Sequence, residues 1–254
     1  MHFTSETSSN GVIERSFTLD DVTGVLWSPE SVPGAAPMVL AGHPGGLHKK
    51  APGHVARAHS LVTVDGFHVV SIDAPGHGDR PRNSRDERRI AEFRQARAEG
   101  SPSFGQILAE YSASVAERAV PEWRATIDAV MSLPEIGAHV PVGYSGMSLA
   151  GAVGIPLAAV EPRITAARFG WLSAHDALLE AAKQITIPIE YLLPLDDKEI
   201  PRAFGLELFD AFASADKVLH AFPGGHSQVP TDGRIDTRFF ARHLGGHRPA
   251  CDMT

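Results

Sequence analysis

What most restricts the fold of this chain is a rhythm. Six short apolar runs, Ala36 to Gly42, Phe67 to Ile72, Val140 to Gly146, Thr165 to Trp171, Ile187 to Leu195 and Lys217 to Phe222, alternate with stretches of helical character. The runs are continuously apolar rather than alternating, which is the pattern of strands covered on both faces in a parallel sheet. Helices are expected over 52–64, 86–98, 105–132, 149–160, 174–184, 202–213 and 232–244. Strand and helix in turn predict an open α/β sheet with right-handed crossovers. Before this rhythm begins, residues 13–28 read as two antiparallel strands around a turn at Asp20-Asp21.

Composition narrows the function classes. With 254 residues the chain is long enough for one large α/β domain, and 43% apolar with 21% charged residues is ordinary for a globular protein. A net charge of −7 opposes a surface built to neutralise a phosphate backbone, so no nucleic-acid partner is expected. The single cysteine, Cys251, can close no intrachain disulfide and supports no cysteine-based zinc site. The longest apolar run, Ala150 to Val160, is shorter than the roughly 18 residues of a membrane span, and the first residues lack the apolar core of a secretory signal. The expectation is a cytoplasmic protein without membrane contact. A homodimer is compatible with this reading.

In an open α/β sheet the chemistry gathers where strands end at their carboxyl edge. The run Val140 to Gly146 leads through Met147-Ser148-Leu149-Ala150-Gly151 into a helical stretch, a strand, tight small-residue turn and helix of the kind a nucleophile elbow requires. Ser148, flanked by Gly146 and Ala150, is preferred over Ser145, which would place Met147 where a small residue belongs. The bland alternative is a serine that only caps the next helix. A serine nucleophile needs a histidine base oriented by a carboxylate. The next two strand ends read Leu195-Asp196-Asp197-Lys198-Glu199-Ile200-Pro201 and Phe222-Pro223-Gly224-Gly225-His226, and so supply one of each. Either aspartate could instead cap the helix near Pro201. An oxyanion site needs two backbone N–H donors. Leu149 follows the serine, and the loop His43-Pro44-Gly45-Gly46 offers Gly45 first and Gly46 second, since Pro44 has no N–H.

Taken in order, HPGGLHKK at 43–50, IDAPGHGDRP at 72–81, GYSGMSLAG at 143–151, LDDKEIP at 195–201 and PGGHSQVP at 223–230 resemble the α/β-hydrolase superfamily. Within it, the chain is most similar to dienelactone-hydrolase-like serine esterases. The resemblance implies a mostly parallel sheet with antiparallel N-terminal strands and helices on both faces. It also implies hydrolysis of a small-molecule ester or thioester, with Ser148, Asp197 and His226 as triad and Leu149 and Gly45 as oxyanion donors. Asp197 is preferred over Asp196 because it fits the family's D-x-x-hydrophobic-Pro pattern. Dienelactone hydrolases proper use cysteine as nucleophile, so their substrate is not carried over. A non-hydrolytic use of the fold, as a lyase, a cyclase or a ligand receptor, is the alternative. No cofactor and no metal are expected: the pairs His43/His48 and His54/His59 lack the i, i+4 spacing of a helical metal site.

The chain reads as one domain over 1–254, with residues 80–104 as an inserted flap, because this connection far exceeds a usual βα loop. The flap carries seven arginines, Arg80, Arg82, Arg85, Arg88, Arg89, Arg94 and Arg97. Their ordinary role would be a solvated helix laced with i, i+4 pairs. The sharper expectation is that Arg80 or Arg82 faces an anionic group of the substrate.

Overall fold

The computed structural model describes residues 1–31, 35–226, 228 and 238–245. Its centre is a nine-stranded sheet in the order β1-β2-β3-β5-β4-β6-β7-β8-β9. The strands are β1 (His2–Ser9), β2 (Val12–Leu19), β3 (Val22–Pro29), β4 (Met38–Ala41), β5 (His68–Ile72), β6 (Val142–Met147), β7 (Ile164–Gly170), β8 (Ile189–Pro194) and β9 (Lys217–Phe222). β1, β2, β3 and β5 pair antiparallel; from β5 through β4 to β9 every pairing is parallel. The helices are α1 (Pro52–Asp65), α2 (Ser84–Glu99), α3 (Phe104–Met131), α4 (Leu149–Val160), α5 (Asp176–Ala182), α6 (Arg202–Ala211) and a short α7 (Arg238–Phe240) that runs into a π turn, Ala241–Gly245.

The apolar runs are continuous because both faces of each central strand are buried. On one face Leu26, Leu40, Val70, Tyr144, Phe169 and Tyr191 pack with Val115, Trp123 and Ile127 of α3. On the other, Val25, Trp27, Val39, Val69 and Ala166 pack with Ala58, Leu61 and Val62 of α1 and with Phe239 and Phe240 of α7. Successive residues of one strand thus serve opposite layers. Each large side chain fully removed from water contributes about 1.5–3 kcal/mol.

The N-terminal region departs from expectation. Besides the anticipated hairpin β2–β3, with Asp20 at φ 49 in its turn, the polar stretch His2–Ser9 forms β1. Its side chains are exposed apart from the half-buried Phe3, which meets Phe17 edge-on at 6.5 Å. A strand held mainly by backbone pairing, with few side-chain contacts, carries no apolar alternation for a sequence reading to find. Of the expected helix over 232–244, residues 238–244 are described and form α7 and the π turn, while 232–237 and Cys251 lie outside the described residues.

α4 is apolar on every side, and Leu149 through Ile155 are all buried, as a helix packed within a core must be. It lies so close to β6 that a Cβ on Gly154 would sit 2.0 Å from Cε1 of Tyr144. The Tyr144 hydroxyl donates to the carbonyl of Ala150 at 2.6 Å. Gly154→Ala is therefore expected to cost about 1–3 kcal/mol through overpacking, read as a lower urea midpoint at unchanged m-value, whereas Ala158→Gly on the same helix should cost no more than about 1 kcal/mol.

Candidate functional site

β6 ends at Met147, and the chain turns into α4 through Ser148 at φ 55 and ψ −124. Positive φ at a residue with a side chain is a strained conformation that persists only when its surroundings enforce it. Here they do: the Ser148 N–H donates to Gly170 O at 2.9 Å and its carbonyl accepts from Ala152 N at 3.0 Å. Crossing the turn so tightly demands missing side chains on both limbs. A Cβ on Gly146 would lie 2.7 Å from the Ala150 backbone, and one on Gly151 would lie 2.8 Å from Leu172 Cδ1. Ala150, in turn, sits where a Cβ on Gly42 would meet its methyl at 2.7 Å, so this position has no room for more. Ser145 occupies ordinary strand backbone in β6, in register with Ala41 and Arg168.

Asp197 follows β8. Its Oδ1 accepts from the N–H groups of Glu199 at 2.8 Å and Ile200 at 3.1 Å, and its Oδ2 lies 2.8 Å from Nδ1 of His226. The aspartate side chain is 2% exposed and the histidine 22%. Its neighbour Asp196 has a different duty, accepting from Gly224 N at 2.9 Å while its own N–H donates to Gly224 O at 3.0 Å. Asp196 thereby staples the aspartate loop to the histidine loop. Neither aspartate caps α6, whose N-cap is Pro201.

Ser148, Leu149, Gly45, Gly46 and His226 all line one cavity of about 1250 Å³. Gly45 lies against Leu149, whose Cβ is 3.5 Å from the point a Gly45 Cβ would occupy. The loop carrying Gly45 is held by His43, which is 2% exposed. Ala74 N–H donates to its Nε2 at 3.0 Å, so the ring proton resides on Nδ1, which faces Pro44 O at 2.9 Å. Burial, opposed only in part by that contact, lowers the His43 pKa to about 4. A second tie is ionic: fully buried Asp73 accepts from Lys49 N–H at 2.9 Å, Lys49 Nζ at 2.5 Å, Asp79 N–H at 3.1 Å and Thr23 Oγ1 at 2.9 Å. These donors keep its carboxyl below the ordinary range despite burial. Gly78, at φ 57, passes Asp73 so closely that a Cβ would lie 2.2 Å from Oδ1. The turn after β5 is thus the support of the His43–Gly46 loop.

Residues 80–104, read from the sequence as a flap, hold α2 and its flanks. Asn83 caps it by accepting from Asp86 N–H at 2.8 Å, and Gly100 ends it at φ 60. Its charges reach outward to other elements: Asp86 takes both terminal nitrogens of Arg118 on α3, at 2.7 and 3.1 Å, and Arg97 pairs with Glu199 of the aspartate loop. Ile90, Phe93, Arg94 and Arg97 of α2 line the cavity. The two arginines expected to face substrate separate. Arg82 lines the cavity, with its Nε donating to Gly76 O at 3.1 Å. Arg80 does not line it: both of its terminal nitrogens donate to Glu122 of α3 at 2.7 Å, and one also reaches Asp73 O at 3.2 Å. Glu122 lies 42 residues away in sequence, too far for a local pattern to announce. Among the described residues no group of three or more His, Cys, Asp or Glu could hold a metal ion, and no helix is long and apolar enough to cross a membrane.

No protein-family model matches the chain, and no curated protein does. Solved structures do. A PEG-bound cold-adapted esterase from an Arctic intertidal metagenomic library is 29% identical over 96% of this chain and 100% of that one, with a TM-score of 0.77. Acetyl xylan esterase from Paenibacillus aligns at 14% identity over 96% and 88% with a TM-score of 0.69. Dienelactone hydrolase from Anabaena variabilis aligns at 19% over 92% and 100% with a TM-score of 0.66. The fold is that of the α/β-hydrolases.

Two expectations follow from these contacts. Arg80→Ala should lower stability by about 1.5–3 kcal/mol by stranding Glu122, with KM for esters unchanged; a raised KM at unchanged melting temperature would show that Arg80 meets substrate. His43, His54 and His68 are all buried, and burial lowers their pKa values to about 4, 3 and 4. The unfolded chain therefore binds more protons than the folded one once the pH drops below about 6.5. Stability should be full above that pH and fall towards pH 4, by up to about 1.4 kcal/mol per pH unit for each of these histidines, as followed by urea melts across the range.

Proposed function

We propose that this chain of α/β-hydrolase fold is an esterase that cleaves a small-molecule carboxylic ester through an acyl-enzyme on Ser148. The observation that carries the reading is the strained turn at Ser148 opening onto the same cavity as His226, whose Nδ1 is engaged by the buried Asp197. The ester hydrolases among the structural neighbours support the reaction class.

The chemistry follows from the residues. With Nδ1 facing a carboxylate, His226 carries its proton there and leaves Nε2 as the base for the Ser148 hydroxyl. Asp197 is itself fixed by the two backbone donors on Oδ1, so the imidazole has one orientation and, once protonated, a compensating charge beside it. The freed alkoxide attacks the ester carbonyl. Negative charge moves to the carbonyl oxygen, where the N–H groups of Leu149 and Gly45 stabilise it. Leu149 opens α4, so its N–H is one of those an α-helix leaves without an internal acceptor. Collapse of the intermediate expels the alcohol, which takes the proton from His226. Water then enters, gives its proton to the same nitrogen and releases the acid, restoring Ser148.

A fluorophosphonate probe followed by peptide mass spectrometry should label Ser148, and Ser148→Ala should lose labelling and at least about a thousandfold in kcat on p-nitrophenyl butyrate. Labelling on Ser145, or retained turnover in Ser148→Ala, would reject the assignment. Asp197→Asn should cost a comparable factor in kcat with the fold intact.

A further inference from the structure

Six residues of the cavity lining belong to α1 or to neighbouring strand positions beside it, His54, Arg57 and Ala58 on α1 and Ala41, Ser145 and Arg168 in mutual register on β4, β6 and β7; they form the α1-side arm of the cavity. We propose that this arm is a subsite for a carboxylate on the acyl portion of the substrate, with Arg57 as its principal cation and Arg168 and Ser145 beside it. The inference rests on the esterase reading and names the substrate class of that same site.

The cavity wall has a charge opposite to that of the protein. Five arginines and one glutamate line it among the described residues, whereas the chain as a whole carries −7. Two of the five arginines are answered by a carboxylate. Arg97 is paired with Glu199, and Arg168, 7% exposed, is paired with the buried Glu190 and lies 5.0 Å above the ring of Phe240. Arg57, Arg82 and Arg94 have no carboxylate partner among the described residues; Arg82 and Arg94 belong to the α2 part of the chain, and of the three Arg57 alone stands on α1, beside Ser145 and Arg168 in the cavity lining. The Arg57 Nη1 lies 3.9 Å from the point a Gly53 Cβ would occupy, so the guanidinium folds back over the first turn of α1, and Gly53 lines the same cavity. The positive end of the α1 dipole adds to the field there. Arg57 keeps an exposed face; the partial desolvation it undergoes first, and then the Arg168 charge, depress its pKa, which is the direction an unanswered cation beside a like charge must take. An incoming carboxylate would remove that penalty and match the planar fork of a guanidinium.

The acyl side is the one that fits. Leaving groups depart towards His226, which arrives from the β8–β9 side of the sheet; Arg57 stands on α1, which follows β4 on the other side of β6. Ser145 precedes Ser148 by three residues of β6, about 10 Å of extended chain. A carboxylate at Ser145 and Arg57 therefore lies several carbons from the reacting carbonyl, as in the half-ester of a dicarboxylic acid. His54, lowered to about 3 and with Nε2 held 2.9 Å from Ser71 Oγ, is neutral and leaves the cationic role to the arginines.

The test compares p-nitrophenyl half-esters of succinate, glutarate and adipate with butyrate, valerate and hexanoate esters, in the wild type, Arg57→Gln and Arg57→Lys. The expected result is a wild-type kcat/KM at least tenfold higher for one or more half-esters than for the neutral ester of similar length. Arg57→Gln should abolish that preference and leave neutral esters within twofold, and Arg57→Lys should keep part of it. Equal rates for charged and neutral esters in the wild type, or equal losses for both in Arg57→Gln, would overturn the proposal while leaving the esterase reading intact. Absence of turnover on every ester, neutral ones included, would overturn both. Inhibition of neutral-ester turnover by free phosphate that vanishes in Arg57→Gln, without any half-ester preference, would assign the arm to a free anion and reject the substrate assignment.

Discussion

Everything at the candidate site depends on how closely β6 approaches α4. The turn between them is affordable only because side chains are missing on both limbs: Gly146, Gly151 and Gly154 each stand where a methyl would collide with backbone, with buried Leu172 or with the buried Tyr144 ring. Tyr144 fills the space these absences create and ties back to Ala150 through its hydroxyl. Close approach and strain are therefore one feature. The same packing that leaves no room for a Cβ keeps Ser148 at positive φ, and it points the first turn of α4 at the cavity.

The loops that complete the site are held by polar contacts of two kinds. The His43–Gly46 loop rests on the turn after β5 through neutral His43 and through the buried Lys49–Asp73 pair, whose carboxylate has donors on both oxygens. A buried ion pair of this sort contributes more to unique positioning than to net stability, because desolvation offsets much of its attraction. The aspartate and histidine loops are joined directly, by Asp196 to Gly224 and by Asp197 to His226. Glu199 sits in the first of these loops and also holds Arg97 of α2, so one short segment contacts both the histidine partner and the flap.

Much of this was legible in the chain because strand ends announce themselves. The central strands are continuous apolar runs, and three of them lead directly into Ser148 and His226, which line the cavity, and Asp197, which holds His226. The D-x-x-hydrophobic-Pro pattern favours Asp197 over its neighbour, but what Asp196 holds shows only in the second loop, 28 residues on, where it takes Gly224. Arg80 and Arg82 were indistinguishable for the same reason: a guanidinium goes where its carboxylate is, and Glu122 belongs to another helix. Arg57 carried no signal, since one arginine on a helix face resembles any other until the cavity beside it is known. β1 was missed because its place depends on pairing with β2 and hardly on its side chains.

That polar strand also determines how the sheet meets its surroundings. β1 is the terminal strand of the order, and an unpaired strand edge offers a row of free N–H and C=O groups to any other extended chain. Here the edge strand is irregular, with a register shift between Phe3 and Ser5, and its exposed residues are Ser, Thr, Glu and His with no apolar stripe on either face. A second sheet docking against it would find hydrogen-bonding groups but almost no surface to dehydrate. The strand with the weakest sequence signature thus acts as a hydrated terminus that keeps a large, otherwise apolar sheet from growing beyond its own chain at that edge.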